Sequence, residues 1–513
     1  MSDALNLPGW PIEPSVAPPP QGAAPGRPRV KPVDRSQLMW SSVDVERLLE
    51  PDHPARAIWA LTGQLDLKSF YAPIAAVEGK AGREPWDPRL LVSLWVYAYS
   101  RGIGSAREIQ RRCTYEPAFQ WLCGLQTINH HTLSDFRVTH GPALEELFVG
   151  VLGVLSDQGL VSLERVMHDG TKIKAAASSD TFRREESLRQ HLEEARQQVQ
   201  RLAQEVQEEP TRRQAAQQRA ARQRQQRVQQ ALAQLEQIRQ TKSSAQEKEA
   251  VRVSLSEPES RIMKQPGGGV APSYNVQIST EASHKIILGV GVSQNASDYG
   301  ELPGAVQRVE QNLQAKPKQM VVDGGFTSRG NILTTEGQGI DLIGSLGEEP
   351  AQSSPPGVAG SGAAQAFKYD AATDRYECRA GASLKRVRED RRRAGVIYYY
   401  YRAERDQCAN CPLRAQCCSK NAQAREVIRS VEEPPVAAFR QKMQTPEAQE
   451  IYRQRAPVAE FPNAWIKDKL GLRQFHVRGL LKVGLEVLWA CLTYNIQQWI
   501  RLCWRPQLAS AQS

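Results

Sequence analysis

The stretch VMHDGTKIKA, residues 166–175, places one carboxylate, Asp169, between an apolar run and a Gly-Thr step. The segment LERVMHD predicts a short strand that ends on Asp169, and VVDGGF repeats the pattern at Asp323. Ligand sites gather at strand ends in α/β sheets, because the backbone stops pairing there and side chains project into a crevice. The two aspartates therefore predict a site at one edge of a sheet, with Gly170 leaving room for a ligand. Aspartate at a strand end is also an ordinary turn residue.

The segments around these aspartates predict an α/β fold. From Glu164 onward the patterns follow the order strand, inserted helical hairpin, strand, strand, helix, strand, helix, strand, which gives a mixed sheet with helices packed against it. PSYNVQISTEA and KIILGVGVSQN are β-branched, alternating runs about a short polar turn and predict a β-hairpin. We assign residues 151–181 and 251–346 to this core.

A long charged segment, residues 182–250, interrupts the core. Apolar residues recur in it at spacings of three and four, which is typical of a coiled-coil seam. The seam positions are Leu188, Leu192, Ala195, Val199, Leu202, Val206, Val228, Ala231, Leu235 and Ile238. Pro210 separates two arms of similar length, so the segment predicts an antiparallel helical hairpin that returns the chain to the sheet. The arginines and glutamines on its outer faces either contact DNA or are simply solvated.

The remaining regions differ in composition and periodicity. Residues 1–37 are rich in Pro, Gly and Ala and predict a disordered tail. Residues 38–150 predict an all-α unit, in which one helix either enters a DNA groove or serves only for packing. Residues 347–430 combine a linker with a cysteine-containing insertion, and residues 431–505 predict C-terminal helices that complete the core.

The charge balance favours an anionic partner. Lysine and arginine outnumber aspartate and glutamate by 66 to 56, which gives a formal charge of +10 and a pI near 9.1. Nucleic acid is the first expectation and an anionic membrane surface the second. The sequence shows no apolar run of the ~20 residues that a transmembrane helix needs and no signal-peptide pattern. With nine cysteines and no export signal, a cytoplasmic protein that carries reduced thiols or metal ligands is expected.

A third acidic candidate, Glu460, lies in YRQRAPVAEFPNAWIKDK, residues 452–469. Pro462 suits the first turn of a helix, which predicts Glu460 at or just before the helix N-terminus. Lys467 follows about two turns later, on nearly the same face. The two residues form either a surface ion pair or part of a metal site in which Arg455 and Lys467 hold phosphates. Three carboxylates suit phosphodiester cleavage, because two Mg²⁺ ions can activate the attacking oxygen and stabilise the leaving oxygen.

Several blocks occur in a fixed order: HDGTKIKA, YNVQISTEASHKIILGVGVSQNASD, VVDGGFTSRGNI and Y-x2-R-x4-E-x6-K. Together with EPDHPARAIW and residues 86–137 upstream, they resemble bacterial insertion-sequence DDE transposases, closest to the group typified by insertion sequence 1182. The resemblance implies a ribonuclease-H-like core in which Asp169, Asp323 and Glu460 bind Mg²⁺, or Mn²⁺ in its place.

The same resemblance implies that Tyr452, Arg455 and Lys467 contact DNA. The implied partners are double-stranded DNA, both terminal inverted repeats and target DNA, and further copies of the chain in a homo-oligomer. The implied setting is the bacterial cytoplasm, at the nucleoid when DNA is bound, with no membrane association. The implied activity is metal-dependent cleavage and strand transfer of insertion-sequence ends. A catalytically silent DNA-binding descendant and a nuclease of the same fold are the alternatives.

Two further carboxylates compete for roles in this site. Asp298, in QNASDYGEL, matches a commonly acidic or polar position of the resembled family, and we expect it to be structural or to support the metal ligands. Glu486, in KVGLEVLWACL, is a second helical candidate for the third acid. Its predominantly apolar setting favours Glu460 instead.

The cysteines of the insertion form a separate candidate site. Cys378, Cys408, Cys411 and Cys417 either close a tetrahedral Zn²⁺ site, which would let a small module fold with little core, or are reduced and partly buried thiols. The five-residue gap before Cys417 departs from a paired Cys-x2-Cys pattern, and the adjacent Cys418 leaves the fourth ligand ambiguous.

Overall fold

A mixed β-sheet lies at the centre of the chain, and its strands come from distant parts of the sequence. The computed structural model describes residues 42–76, 84–204, 211–347, 367–393, 396–418 and 422–512. In chain order, the strands up to residue 343 are β1 (Arg165–Lys174), β2 (Phe182–Arg183), β3 (Val253–Ser254), β4 (Arg261–Lys264), β5 (Val270–Glu281), β6 (Ile287–Ser293), β7 (Gln319–Val321) and β8 (Asp341–Ile343). The sheet has the order β4-β5-β1-β7-β8, β6 also pairs with β5, and β2 pairs with β3 in a separate ladder.

The strand directions confirm the predicted mixed sheet. β5 is antiparallel to β1, β4 and β6, whereas β7 is parallel to both β1 and β8. The prediction that β1 ends on Asp169 is wrong, because β5 pairs with this strand from Val166 through Lys174. The parallel neighbour β7 does end early, at Val321. Asp169 therefore lies inside one ladder of the sheet and beyond the end of the other.

The N-terminal part of the described chain is helical. Its helices are α1 (Pro54–Thr62), α2 (Lys68–Tyr71), α3 (Pro88–Ser100), α4 (Ala106–Arg112), α5 (Pro117–Cys123), α6 (His130–Thr139) and α7 (Gly141–Asp157). α3 begins at Pro88 as predicted, with the Asp87 carboxylate accepting the Arg89 N–H as its N-cap. α3 and α7 both pack against the C-terminal helix Leu480–Trp499. The predicted boundary at residue 150 is wrong, since α7 continues through it to share one hydrophobic core with the sheet.

A helical hairpin connects β2 to β3. It consists of α8 (Glu185–Gln204) and α9 (Arg212–Gln240), followed by the short α10 (Ala245–Glu249). Thr211 and Gln214 begin α9 with a reciprocal capping box. The fully buried members of the predicted seam are Leu188, Ala195, Val228, Ala231 and Leu235. Val206 and Pro210 lie outside the described residues, as does the predicted tail, residues 1–37.

The C-terminal half contributes further helices and a second sheet. α11 (Leu302–Leu313) and α12 (Arg329–Gly337) pack against the central sheet. The second sheet is antiparallel and contains β9 (Phe367–Asp370), β10 (Arg375–Cys378), β11 (Ser383–Arg393), β12 (Val396–Arg402) and β13 (Glu426–Glu432). Between β12 and β13 lie α13 (Arg405–Ala409) and α14 (Arg414–Cys417). The predicted boundary at residue 430 is wrong because it falls inside β13.

The last helices are α15 (Pro434–Lys442), α16 (Pro446–Arg453), α17 (Arg455–Asp468), α18 (Leu480–Trp499) and, after a π-helical turn at Ile500–Trp504, α19 (Arg505–Gln512). No single helix in the described ranges is long and apolar enough to cross a membrane. The helices His130–Thr139 and Gly141–Asp157 reach that threshold only when joined across a bend of 75°.

Candidate active site

The pairing register brings Asp169 and Asp323 to the same edge of the central sheet. The last parallel pair between β1 and β7 is Met167 with Val321. Each aspartate follows its member of that pair by two residues, and residues two apart on an extended chain point to the same face. The carboxylates interact electrostatically, because the charge of Asp323 raises the pKa of Asp169. The structure therefore brings the first two predicted acids together.

The Asp169 carboxylate lies in a largely buried environment, with a side-chain exposure of 16%. Burial raises its pKa to about 6, and the Asp323 carboxylate adds to this rise. The Arg455 guanidinium opposes it, with Nη1 3.8 Å from Asp169 Oδ1. The Asn463 side-chain amide also opposes it by donating to Asp169 Oδ2 at 3.0 Å. The surroundings of Asp169 thus disfavour its charged form, and Arg455 and Asn463 offset that effect only in part.

Asp323 is held by the turn that follows β7. Its Oδ1 accepts the backbone N–H of Gly325 at 2.8 Å and that of Phe326 at 3.3 Å. The Thr327 hydroxyl donates to the Asp323 carbonyl oxygen at 2.9 Å. A Cβ at position 325 would lie 3.0 Å from Asp323 Oδ1, so glycine there permits the close turn. Asp323 therefore makes the hydrogen bonds of an ordinary turn residue and also lies at the sheet edge that it shares with Asp169.

Helix α17 supplies the other side of the site by packing along β1. Val458 and Ala459 belong to the same apolar cluster as Met167. One turn later Asn463 contacts Asp169, and after another turn the Lys467 ammonium donates to the Thr171 hydroxyl. Burial lowers the pKa of Lys467. One face of the helix thus follows successive residues on one face of the strand.

The predicted start of this helix is wrong. α17 begins at Arg455, five residues before Glu460, and Pro462 lies inside it rather than in its first turn. A proline inside a helix costs about 3 kcal/mol, because one backbone hydrogen bond is lost. Burial of Val458, Ala459 and Pro462 offsets that cost, and this packing is invisible to a local rule.

Glu460 is the most exposed of the three predicted acids, with a side-chain exposure of 63%. Its Oε1 lies 3.8 Å from Nη2 of Arg455, whose guanidinium is itself 3.8 Å from Asp169. Arg455 therefore lies between the two carboxylates. Tyr452, on α16, is half-buried and packs against the apolar cluster around Met167. In the described ranges, no three His, Cys, Asp or Glu side chains are grouped so as to hold a metal ion.

Asp298 is a fourth carboxylate at this edge of the sheet. Its Oδ1 accepts from Asn275 Nδ2 at 2.7 Å and from Gln277 Nε2 at 2.9 Å. A Cβ at Gly170 would lie 2.3 Å from that oxygen, so the Asp298 carboxylate packs directly on the backbone next to Asp169. The sequence prediction that Gly170 leaves room for a ligand is therefore wrong, because the Asp298 carboxylate occupies the space beside this glycine.

Sequence reasoning missed the polar residues that hold these carboxylates. Asn463, Asn275 and Gln277 carry no local signal, because each is an ordinary polar residue in a strand or helix, and the same is true of Thr171, which contacts Lys467. Only the pairing of β1 with β5 and the packing of α17 on β1 reveal their contacts.

Glu486, the competing candidate for the third acid, is fully buried in α18, and its hydrogen bonds are made with a different set of residues. Its Oε1 lies 2.8 Å from His476 Nδ1 and 3.4 Å from Nη1 of Arg137, and its Oε2 accepts the His476 backbone N–H at 2.9 Å. Arg137 belongs to α6. Glu486 therefore links the N-terminal helices to the C-terminal helix.

The cysteines of the second sheet surround one small cavity. Its lining includes Cys378, Cys408, Cys411, Cys417 and Cys418. The Cys408 sulfur accepts the Arg425 backbone N–H at 3.5 Å. Burial raises the pKa of Cys418 to about 11 and also raises that of Cys417. The four predicted zinc ligands thus share one cavity, although the described residues do not form a grouping that could hold a metal.

The sequence matches two family models for transposases. "Transposase domain (DUF772)" matches residues 43–139, the N-terminal helices. "Transposase DDE domain" matches residues 377–500, which contain Glu460 but neither Asp169 nor Asp323. No curated protein matches the chain.

Among solved structures, the piggyBac transposase in a synaptic complex with hairpin DNA, determined by cryo-EM, is similar at 8% sequence identity and a TM-score of 0.33. The alignment covers 87% of this chain and 73% of that one. A likeness at this level does not establish a shared fold. The two family matches, one on each side of the central sheet in the sequence, support a DDE transposase.

Proposed function

We propose that the chain cleaves the ends of an insertion sequence and joins them to target DNA. In this proposal both steps take place at the edge of the central sheet where Asp169 and Asp323 lie. The single observation that carries this proposal is their juxtaposition beyond the last β1–β7 pair, with Arg455 and Lys467 on the facing helix. Two carboxylates beside two cations suit a phosphodiester, which needs its charge neutralised where the bond breaks. The order β4-β5-β1-β7-β8, with β5 antiparallel and β7 and β8 parallel to β1, supports a ribonuclease-H-like core.

The residues at this edge fit a hard divalent cation such as Mg²⁺, with Mn²⁺ as a substitute. Mg²⁺ is commonly held by one or two carboxylates, with waters and substrate phosphate completing its shell. Asp169 and Asp323 provide these carboxylates, and the buried Oδ1 of Asn463 has no hydrogen-bond partner among the described residues. When bound, the metal would activate the attacking oxygen and stabilise the leaving oxygen.

The side chains have separable tasks in this proposal. Asn463 fixes the Asp169 carboxylate, and the turn N–H groups of Gly325 and Phe326 fix that of Asp323. Arg455 is placed to bind a phosphate oxygen, since its two carboxylate partners are both 3.8 Å away and neither makes a hydrogen bond to it. Glu460 is proposed as the third acid and Lys467 and Tyr452 as further DNA contacts.

The substrates proposed are the terminal inverted repeats and a double-stranded target, processed by a homo-oligomer in the bacterial cytoplasm. The test is a product analysis with DNA that carries the inverted repeats flanking the gene, a target plasmid and Mg²⁺. Joined products are expected. Cut ends without joined products would assign a nuclease of the same fold, and binding without cutting would assign a silent DNA-binding descendant.

We also propose a structural Zn²⁺ in the second sheet, bound by Cys378, Cys408, Cys411 and Cys417, with Cys418 as the competing fourth ligand. The support is that all five cysteines line one cavity and that the Arg425 backbone N–H is directed at the Cys408 sulfur. The module's own apolar cluster is small, so a metal would supply stability that packing does not.

A further inference from the structure

The helical hairpin carries a strongly uneven distribution of charge along its length. Its base, residues 185–194 and 228–240, contains five glutamates and two arginines. Its outer half, residues 195–227, contains eight arginines against three glutamates, a net charge of +5. Those three glutamates all fall within 205–210, outside the described residues. A helix that is solvated for solubility alone intersperses both signs, so this segregation indicates a surface with a function.

Ion pairs inside the hairpin engage three glutamates of the base, Glu185, Glu193 and Glu194. Glu185 pairs with Arg189 and Arg239, and Glu194 pairs with Arg224 at 3.1 Å. Within the described parts of the chain, five exposed arginines of the outer half of α9 have no ion-pair partner: Arg212, Arg213, Arg219, Arg222 and Arg227. Among the described residues, no carboxylate neutralises these five cations, so they can bind an external anion.

The free cations lie on accessible sides of the hairpin. Arg212 and Arg219 are seven residues apart and Arg222 follows three later, spacings that place them along one face of α9. The opposite face is buried through Ala221 and Val228. On the flank, Arg227 lines a groove between α8 and α9 together with Arg201 and with Arg224, which pairs with Glu194, and alanines at 220 and 221 leave space there.

We infer that the outer half of the hairpin, residues 195–204 and 211–227, binds the phosphate backbone of double-stranded DNA without reading its sequence. From Arg212 to Arg227 the helix rises ~22 Å, which corresponds to about six base-pair steps of 3.4 Å. Arginine suits this partner because its planar guanidinium binds phosphate in a bidentate manner. The inference rests on the proposed function only in taking DNA as the anionic partner.

The test is the salt dependence of binding to a double-stranded DNA of random sequence, measured by fluorescence anisotropy with the full chain. The outer variant is Arg219→Gln/Arg222→Gln/Arg227→Gln, since glutamine keeps helix propensity close to that of arginine. The matched control removes the same charge at the base and in the segment that follows α9: Arg189→Gln/Lys242→Gln/Lys248→Gln. Circular dichroism verifies that both variants retain their helices.

Each phosphate contact contributes about 0.9 to the slope of log K against log salt concentration. We expect the outer variant to lower that slope by about two to three and the control to leave it unchanged. An unchanged slope in the outer variant would overturn the inference while leaving the proposed function intact. A change of oligomeric state without a change of slope would also overturn the inference, and it would assign the surface to subunit pairing. Failure of the wild type to bind DNA would overturn both.

Discussion

Replacing Glu486 by alanine tests whether the two helical glutamates have different tasks. The Glu486 carboxylate is fully buried against Arg137, whose side chain is only 6% exposed. Removing the carboxylate leaves a buried cation without its anion, which costs about 3–5 kcal/mol. The His476 backbone N–H loses its acceptor as well, at a cost of about 1 kcal/mol. The free energy of unfolding should therefore fall by about 4 kcal/mol or more.

The assay is urea unfolding followed by tryptophan fluorescence and circular dichroism, with the transition midpoints compared at equal m-values. Two controls change exposed carboxylates, Asp468→Ala, whose partner is the exposed Arg473, and Glu460→Ala. Each should alter the free energy of unfolding by less than about 1 kcal/mol, because exposed ion pairs contribute little. Cleavage activity should be lost in Glu460→Ala and retained in Asp468→Ala.

A loss of less than about 1 kcal/mol in Glu486→Ala would refute this reasoning, since the buried pair would then be dispensable. A second variant separates the charge from the packing: Glu486→Leu combined with Arg137→Met removes both charges. Apolar replacement of a whole buried ion pair is often neutral or stabilising. The double variant should therefore recover most of the stability lost by Glu486→Ala.

Three further changes follow from the same contacts. Gly170→Ala should reduce cleavage and lower the free energy of unfolding by about 1–3 kcal/mol, because the new methyl group would lie 2.3 Å from a carboxylate oxygen. The control Gly153→Ala should stabilise its helix, because its methyl group would meet nothing within 4 Å. Equal changes in the urea unfolding of the two variants would contradict this prediction. Asn463→Ala should reduce cleavage at least tenfold with little change in overall DNA affinity, measured by anisotropy, because only the orientation of Asp169 is lost; equal loss of both would assign Asn463 to DNA binding. Cys408→Ser should remove zinc from the purified protein, one equivalent by elemental analysis in the wild type, and a wild type without zinc would leave these cysteines as ordinary thiols.

The repeated apolar-run-aspartate-glycine pattern predicts that the two carboxylates meet, because both aspartates follow the last β1–β7 pair by two residues, even though β1 itself does not end there. The buried face of the hairpin is equally predictable, since the apolar spacing identifies Leu188, Ala195 and Val228, which are buried. Both features depend on periodicity, which is a local property of the sequence.

The sequence predictions that were wrong concern features set by contacts between distant segments. The length of β1 is set by its pairing with β5, about a hundred residues downstream across the inserted hairpin. Pro462 sits inside α17 because the helix packs on β1, whereas an isolated helix would avoid that position. The sequence does not identify Arg137 as the partner of Glu486, although a glutamate within an apolar helix is unusual and indicates that some partner is needed.

The most direct test of the central claim is Mg²⁺-dependent cleavage of DNA carrying the inverted repeats, comparing the wild type with Asp169→Asn, Asp323→Asn and the exposed control Asp468→Asn. Cleavage by the wild type and the control, with a loss of at least a hundredfold in both site variants and unchanged DNA binding, is the predicted result. Cleavage that survives in Asp169→Asn or Asp323→Asn would contradict the assignment of the reaction to this edge of the sheet.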